Sequence, residues 1–533
     1  MFYSISESAK KVNVSPATIR NWIKTGYLQL SEAGVLSEES LNSLLTSVDY
    51  VKKLSSRANK SRKDSHDHTA LSDDILAKLN STESASEQIG SEYESALSDS
   101  FRNKEGIYYT PKEIIDDLFT SLDGDFAGKT FCDPCCGSGN FIMQALEKGF
   151  RPENIYGYDT DPIAVAITKK RILDTTGYNS ANIIEGDFLK LVSEGKIELF
   201  DSIFTNPPWG KKLPLKLKQS YSDIFESGNC TDTSGLFFFA CLKQLKTDGF
   251  LGLLLPEAFF NIAIFESVRT KAINLNIKRL INYDKPFDGL VTKAQAIVLA
   301  NTVSVDSSYS VNCESSSGTF TRTSTSFKVN PKFIFNMHCD EKSATVINHI
   351  YSLPHVTLKG NAKWGLGIVT GNNEKFCKTD PAEGYLPVYK GADISIKGLK
   401  VPSAFIPKDL SLYQQVAPKE LYEAPEKLIY KFISSKLCFF HDTERRYILN
   451  SANLLIPSLE LPIRAKQLCD LLNSNLINWL FQSIFSTHKI LRGDLESLPI
   501  HADYFKEHSH FNESSYLEYL NLNLSDNSTY FIK

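Results

Sequence analysis

Four consecutive residues, Asn206-Pro207-Pro208-Trp209, bring together a carboxamide, two imino acids and an indole. They follow an apolar run, Leu199-Phe200-Asp201-Ser202-Ile203-Phe204, that reads as a short buried strand. Proline has no N–H to give to a strand ladder, so the pair stops the strand and stiffens the chain beyond it. The strand end then carries groups suited to an exocyclic amino group on a planar base. The Asn206 side-chain oxygen and the Pro207 carbonyl can accept two amino hydrogens, and the Trp209 ring can stack on the base face. The plainer alternative is a turn followed by an aromatic that packs, and Asn-Pro-Pro alone does not separate the two.

A second constellation lies upstream. Asp133, Asp159 and Asp187 close three apolar runs that read as strands, over 129–133, 155–159 and 182–188. After the first comes a glycine turn, Pro134-Cys135-Cys136-Gly137-Ser138-Gly139-Asn140. Its glycines depart from the dinucleotide pattern G-x-G-x-x-G, whose third glycine is missing. An acid at Asp133 repels a pyrophosphate and favours a cation, such as the amino group of an amino-acid moiety. Asp159 is placed for ribose hydroxyls, by the logic that puts an acid there in dinucleotide folds. Asp187 can accept from an adenine amino group. An amino acid, a ribose and an adenine in a row describe S-adenosylmethionine. Cys135 sits within this turn and not at a substrate strand end, so it reads as a pocket-lining residue and not as a nucleophile.

Strands must hold these groups. Beyond the three runs and the Asn206 strand, 249–256, 277–282 and 294–301 also read as strands, with helices over 141–148, 162–173 and 236–245. Alternation with continuously apolar strands predicts a parallel sheet covered on both faces, with ligands at its carboxyl ends. Upstream, Tyr108-Tyr109-Thr110-Pro111 reads as a helix start, Thr110 as cap and Pro111 in the first position, able to receive a carboxylate. A helical pattern from Ser86 places Ile89, Tyr93, Ala96 and Leu97 on one face.

The order tyrosine-threonine-proline, D-P-C-C-G-S-G, strand-ending acids and N-P-P-W resembles the amino-methylating DNA methyltransferases of the gamma arrangement, the N6-adenine enzymes of restriction–modification systems. The resemblance spans about 86–500, and Ile89-Gly90-Ser91-Glu92-Tyr93-Glu94 looks like that family's opening helix. It implies an α/β fold: a Rossmann-like S-adenosylmethionine-dependent methyltransferase sheet with a carboxyl-terminal target-recognition domain. It implies that Thr110 and Pro111 help hold the methionine end, flanked by Asp133 and Cys135. Asp159 would take the ribose and Asp187 the cofactor adenine, with Tyr109, Gly137, Gly139 and Phe188 completing the pocket and no metal involved. Asn206, Pro207, Pro208 and Trp209 would carry catalysis on a flipped-out adenine, with Phe287 stacking on its other face.

The remaining chain divides by composition. Residues 1–50 are expected to hold a helix-turn-helix, since 4–28 pair two short helices through Asn13-Val14-Ser15-Pro16 with Thr18, Arg20, Asn21 and Lys24 outward. That segment resembles regulators of the MerR type, with Arg20 as a DNA contact. Residues 51–85 are a polar linker, and 302–360 a connector whose Ser/Thr-rich part, 302–330, reads as a strand-and-loop edge or connector. The resemblance implies a catalytic domain over 86–301 and a target-recognition domain over 361–510, with 511–533 a tail. Arg445, Arg446, His488, Lys489 and Arg492 are candidate phosphate or base contacts.

At 42% hydrophobic and 23% charged, the 533-residue chain has the composition of a soluble globular protein. A net charge of −4 leaves room for a local basic face but excludes a wholly basic coat. Ten cysteines at irregular spacing fit a reducing cytosol, and no stretch reaches membrane-spanning length. A cytoplasmic monomer acting on duplex DNA is expected, with a cognate restriction endonuclease encoded nearby as a partner. Competing readings are a methyltransferase of RNA or of protein glutamine, and a DNA-binding regulator whose catalytic domain is inactive. Intact Asp133, Asp159, Asp187 and Asn206 argue against the last.

Overall fold

The computed structural model describes residues 2–4, 7–8, 28, 31, 35–37, 75, 78–79, 86–96, 108–287, 292–303, 308–316, 318–485, 489–525 and 529–533. The helix-turn-helix expectation with Arg20, most of the linker, and His488 lie outside these residues.

From Ser86 the main elements are α1 (Ser86–Ala96), α2 (Lys112–Phe119), β1 (Phe131–Asp133), α3 (Asn140–Glu147), β2 (Ile155–Asp159), α4 (Pro162–Thr176), β3 (Ile183–Glu185), α5 (Phe188–Ser193), β4 (Phe200–Thr205), α6 (Leu215–Phe225), α7 (Thr233–Lys243), β5 (Leu245–Pro256), β6 (Leu275–Asn282), β7 (Ala294–Val303), β8 (Ser310–Ser315) and β9 (Gly318–Thr323). The fold is mixed α/β. The chain forms two compact units: Met1–Ile115 with Asp125–Phe188 and Pro208–Lys212, and Asp116–Gly124 with Leu189–Pro207 and Leu213–Lys533.

In the first unit, β1, β2 and β3 run parallel, with Phe131 opposite Ile155 and Gly157 opposite Ile183. The crossover helix α4 starts where the Asp161 side chain caps the Ile163 N–H and Pro162 fills the first position, and it ends at Gly177 in the left-handed region. Helix α1 lays Ile89 and Tyr93 against Ile163, Ala164 and Ile167 of α4.

In the second unit the strand order is β9-β8-β6-β7-β5-β4. Here the expected parallel sheet is corrected: β4 and β5 are parallel, but β7 runs antiparallel to both β5 and β6. The connection from Asn282 to Ala294 is too short for the helical crossover that a parallel return needs. Of the two readings of the Ser/Thr-rich stretch after β7, the structure shows the strand edge. It folds into the β8–β9 hairpin, pairs in parallel with β6, and buries Val311 and Cys313 completely. Its alternation of apolar and polar residues is that of a strand with one covered face.

Beyond Ala362, an antiparallel sheet pairs Ala362–Leu366, Ala452–Pro457, Lys427–Lys431 and Phe439–Asp442. Tyr385–Tyr389 pairs with Ala404–Pro407 and with Tyr447–Ile448. The amphipathic helices Ala465–Leu472 and Asn475–Phe485 close a core that also takes in Tyr516, Leu520, Leu522 and Tyr530 from the segment expected as a tail. Among the described residues, no helix is long and apolar enough to cross a membrane.

Candidate active site

Strand β1 is buried along its length and ends at Asp133, whose Oδ1 accepts the Cys135 N–H at 3.1 Å. The turn that follows needs its glycines. Gly137 (φ 49°) and Gly139 (φ 92°) both lie in the left-handed region. A Cβ on Gly137 would stand 3.0 Å from the Tyr109 ring, and one on Gly139 2.8 Å from Thr168 Oγ1. Thr168 in turn donates to the Gly137 carbonyl at 2.8 Å.

Asp159, at the end of β2, ties the turn to the sheet. Its Oδ2 accepts the Gly137 N–H at 2.9 Å and its Oδ1 the Asp161 N–H at 2.9 Å. Burial pushes this carboxyl upward, while the two N–H bonds pull it back. Tyr109, Thr110, Cys135 and Asp133 fall in the same unit as the turn. Thr110 and Asp133 are buried, whereas Cys135 is partly exposed. Burial holds the Tyr109 hydroxyl well above its ordinary value. The Pro111 carbonyl accepts from the Ile114 and Ile115 N–H groups and so opens α2.

Asp187 corrects the expected third strand, which stops at Glu185. Gly186 turns the chain by donating to the Asp159 carbonyl at 2.8 Å, and Phe188 already begins α5. Asp187 therefore stands in the bend between strand and helix, partly exposed, while Phe188 is buried with its ring 5.6 Å from Tyr158.

Asn206 and Pro207 follow β4 and end that stretch of the second unit; Pro208, Trp209 and Gly210 belong to the first. Trp209 is 8% exposed and rests on Tyr108, with centroids 5.8 Å apart and planes at 41°. Phe287, 8% exposed, lies in the connection between β6 and β7 in the second unit. That connection is anchored near its start. The Tyr283 hydroxyl donates to Asp117, and Asp284 accepts from Asn282 Nδ2 at 3.1 Å and from Ser316 Oγ at 2.8 Å. Arg279 reaches Glu314 at 2.7 Å and Asp117 at 2.8 Å.

Within the carboxyl-terminal region, the two neighbouring arginines have different surroundings. The Arg446 guanidinium binds Asp442 at 2.7 Å and also Glu444, while Asp442 holds the fully buried Lys427 at 2.5 Å. Arg445, at φ 57°, is exposed. Arg492 pairs with Glu496 at 2.7 Å and lies over the Trp364 ring, and Lys489 is exposed beside a backbone bridge to Ile433.

Sequence reasoning places Tyr93 and Glu94 on the opening helix without a role and does not single out Thr168 or Arg171, yet Glu94, Thr168 and Arg171 bond the turn directly and Tyr93 through Asp161. The available signal was Arg171 itself, a charge on the same helical face as Ile163, Ile167 and Thr168.

A family model described as N-6 DNA Methylase matches residues 84–295, and one described as TaqI-like C-terminal specificity domain matches 386–500. The type II methyltransferase M.VspI of Vibrio sp. (strain 343) is 48% identical over 395 residues, 74% of this chain and 96% of that protein. The modification methylase CviBIII of Paramecium bursaria Chlorella virus NC1A is 29% identical over 223 residues, 40% of this chain and 54% of that protein. Among solved structures, the Type IIL restriction-modification enzyme MmeI in complex with DNA gives a TM-score of 0.51 at 12% identity, over 76% of this chain and 70% of that one. That likeness is one of fold.

Proposed function

Because this chain belongs to the N-6 DNA methylases and, with M.VspI, to the type II methyltransferases of DNA adenine, we propose that it methylates N6 of a flipped-out adenine in duplex DNA through the Asn206-Pro207-Pro208-Trp209 bend. The observation that carries this reading is the seat of Trp209. It packs on Tyr108, the neighbour of Tyr109, whose ring lies under Gly137. Asn206 is three residues away along the chain, and consecutive Cα atoms are about 3.8 Å apart.

The family implies S-adenosylmethionine, and the residues fit it. A carboxylate offers about four acceptor sites, so Asp159 keeps capacity for hydroxyl donors after taking two backbone N–H groups. Asp133 offers a negative end at the turn for an ammonium group, and the partly exposed Asp187 an acceptor for an adenine. Bound there, the cofactor supplies a methyl group on positively charged sulfur, with a neutral thioether as leaving group. The residues of the bend do the rest. An adenine amino nitrogen is a poor nucleophile because its lone pair is delocalised into the ring. The Asn206 oxygen and Pro207 carbonyl accept its two hydrogens, favour a pyramidal nitrogen and orient its lone pair, so most of the gain comes from alignment. Aromatic stacking offsets the cost of unstacking by about 1–3 kcal/mol per stacked base, the role proposed for Trp209 and, by family resemblance, for Phe287.

The gamma order of motifs supports the same reading, as does the match to a specificity domain, which favours DNA over RNA or protein glutamine. Arg445, Lys489 and Arg492 are proposed phosphate or base contacts, while Arg446 is ion-paired with Asp442 and Glu444. The proposed setting is the cytoplasm, as a monomeric modification enzyme beside a cognate endonuclease. Transfer of labelled methyl groups to duplex DNA, RNA and protein, followed by mapping of modified bases, tests the reading. Label in N6-methyladenine at one recognition sequence supports it, and label in RNA or protein alone contradicts it.

A further inference from the structure

We propose that Glu94 and Arg171 are positioning residues for the cofactor: from two helices packed on one another they lock Ser138 and Asn140, and so hold the Gly137–Gly139 turn in its binding shape before any ligand arrives. The inference rests on the proposed cofactor site and adds residues to it.

Arg171 is 8% exposed on α4. Its guanidinium donates to the Ser138 carbonyl at 2.7 Å and to Asn140 Oδ1 at 2.8 Å. Glu94, on α1, accepts the Ser138 hydroxyl and the Asn140 amide, the latter at 3.3 Å. One residue therefore holds the backbone of Ser138 and the other its side chain, and both reach Asn140, the first residue of α3. The opposite charges suit one another. Burial lowers the Arg171 guanidinium, and Glu94 and Glu87 oppose that shift.

The preceding residue of α1 serves the other end of the turn. The Tyr93 hydroxyl donates to Asp161, the Asp161 N–H to Asp159, and Asp159 accepts from the Gly137 N–H. A left-handed turn of this kind has many alternatives in a free chain, and each peptide fixed in advance removes ordering cost from binding. Helix α1 carries none of the groups expected to touch cofactor or base, so its contribution is to hold that turn.

Calorimetric titration of the full-length protein with S-adenosylmethionine and with S-adenosylhomocysteine tests this. Glu94→Gln weakens a hydrogen bond to a charged group, so affinity for both is expected to fall about tenfold or more. Because the reacting groups stay in place, kcat at saturating cofactor falls by a smaller factor. Arg171→Lys recovers part of the affinity that Arg171→Met removes. Glu92→Gln, partly exposed on the same helix and paired with Lys78, is the control. Where Glu94→Gln does not fold, Ser138→Ala removes the same hydroxyl bond and decides alike. Folded variants with unchanged affinity, or with kcat reduced and affinity intact, overturn the proposal. Wild-type protein that methylates DNA separates that result from a failure of the functional reading.

Discussion

The Gly137 peptide N–H points at the Asp159 carboxylate, 2.9 Å from Oδ2. The acid that ends β2 therefore also shapes the turn that follows β1. The same carboxylate holds the Asp161 N–H, and Asp161 caps α4. One side chain thus connects two strand ends and a helix start while keeping acceptor capacity for a ligand.

Asp159→Asn places an amide donor where one of those two N–H groups needs an acceptor. Losing a buried hydrogen bond to a charged group costs about 1.5–3 kcal/mol. Cofactor affinity is expected to fall tenfold or more by calorimetry, with a lower midpoint in thermal unfolding.

Gly139→Ala is expected to be worse than its size suggests. The φ of 92° is unfavourable for alanine, and the new Cβ would meet Thr168 Oγ1 at 2.8 Å and Cγ2 at 2.9 Å. Thr168 is fully buried and engaged with the Gly137 carbonyl, so it has little room to yield. Urea unfolding should show a loss of about 1–3 kcal/mol, and cofactor titration should show weakened binding.

Trp209→Ala removes the indole while leaving the glycine turn intact. About 1–3 kcal/mol of base stacking corresponds to a rise in the DNA KM of roughly 5- to 150-fold. Trp209→Phe should recover most of it. Cofactor affinity measured without DNA is expected to change far less.

Acid should weaken the carboxyl-terminal core through His501. Its Nδ1 meets the Tyr516 hydroxyl at 2.7 Å and its Nε2 the Ile350 carbonyl at 3.0 Å. Burial lowers its pKa from 6.5 to about 4. The folded imidazole stays neutral in that interval while the unfolded one takes up a proton, so the unfolded state binds more protons. Stability contributed by this group is full above pH 6.5 and is lost as pH falls towards 4, by at most about 3 kcal/mol. Denaturant midpoints from pH 7 to pH 4 should fall less steeply in His501→Gln than in the wild type.

The parts of the candidate site legible in the sequence are those written locally. Asp133, the glycine turn and the double proline after β4 each declare themselves within a few residues, because strand ends and left-handed turns restrict residue type. Asp187 is expected at the end of the third strand but stands two residues past it, since Gly186 turns the chain by a contact with the Asp159 carbonyl. Contacts distant along the chain were not legible. Arg445 and Arg446 are alike as text; the buried Asp442, near both in sequence but fixed by Lys427, pairs with Arg446 while Arg445 stays exposed. Tyr516 looked like part of a polar tail, yet it fills the core beside His501.

Asn206→Ala bears most directly on how transfer occurs. Cofactor binding by calorimetry and tritiated methyl transfer to duplex DNA should be measured on the same preparation. The expected result is cofactor affinity close to wild type with transfer reduced to background; near-normal transfer by this variant would show that the carboxamide does not hold the amino group.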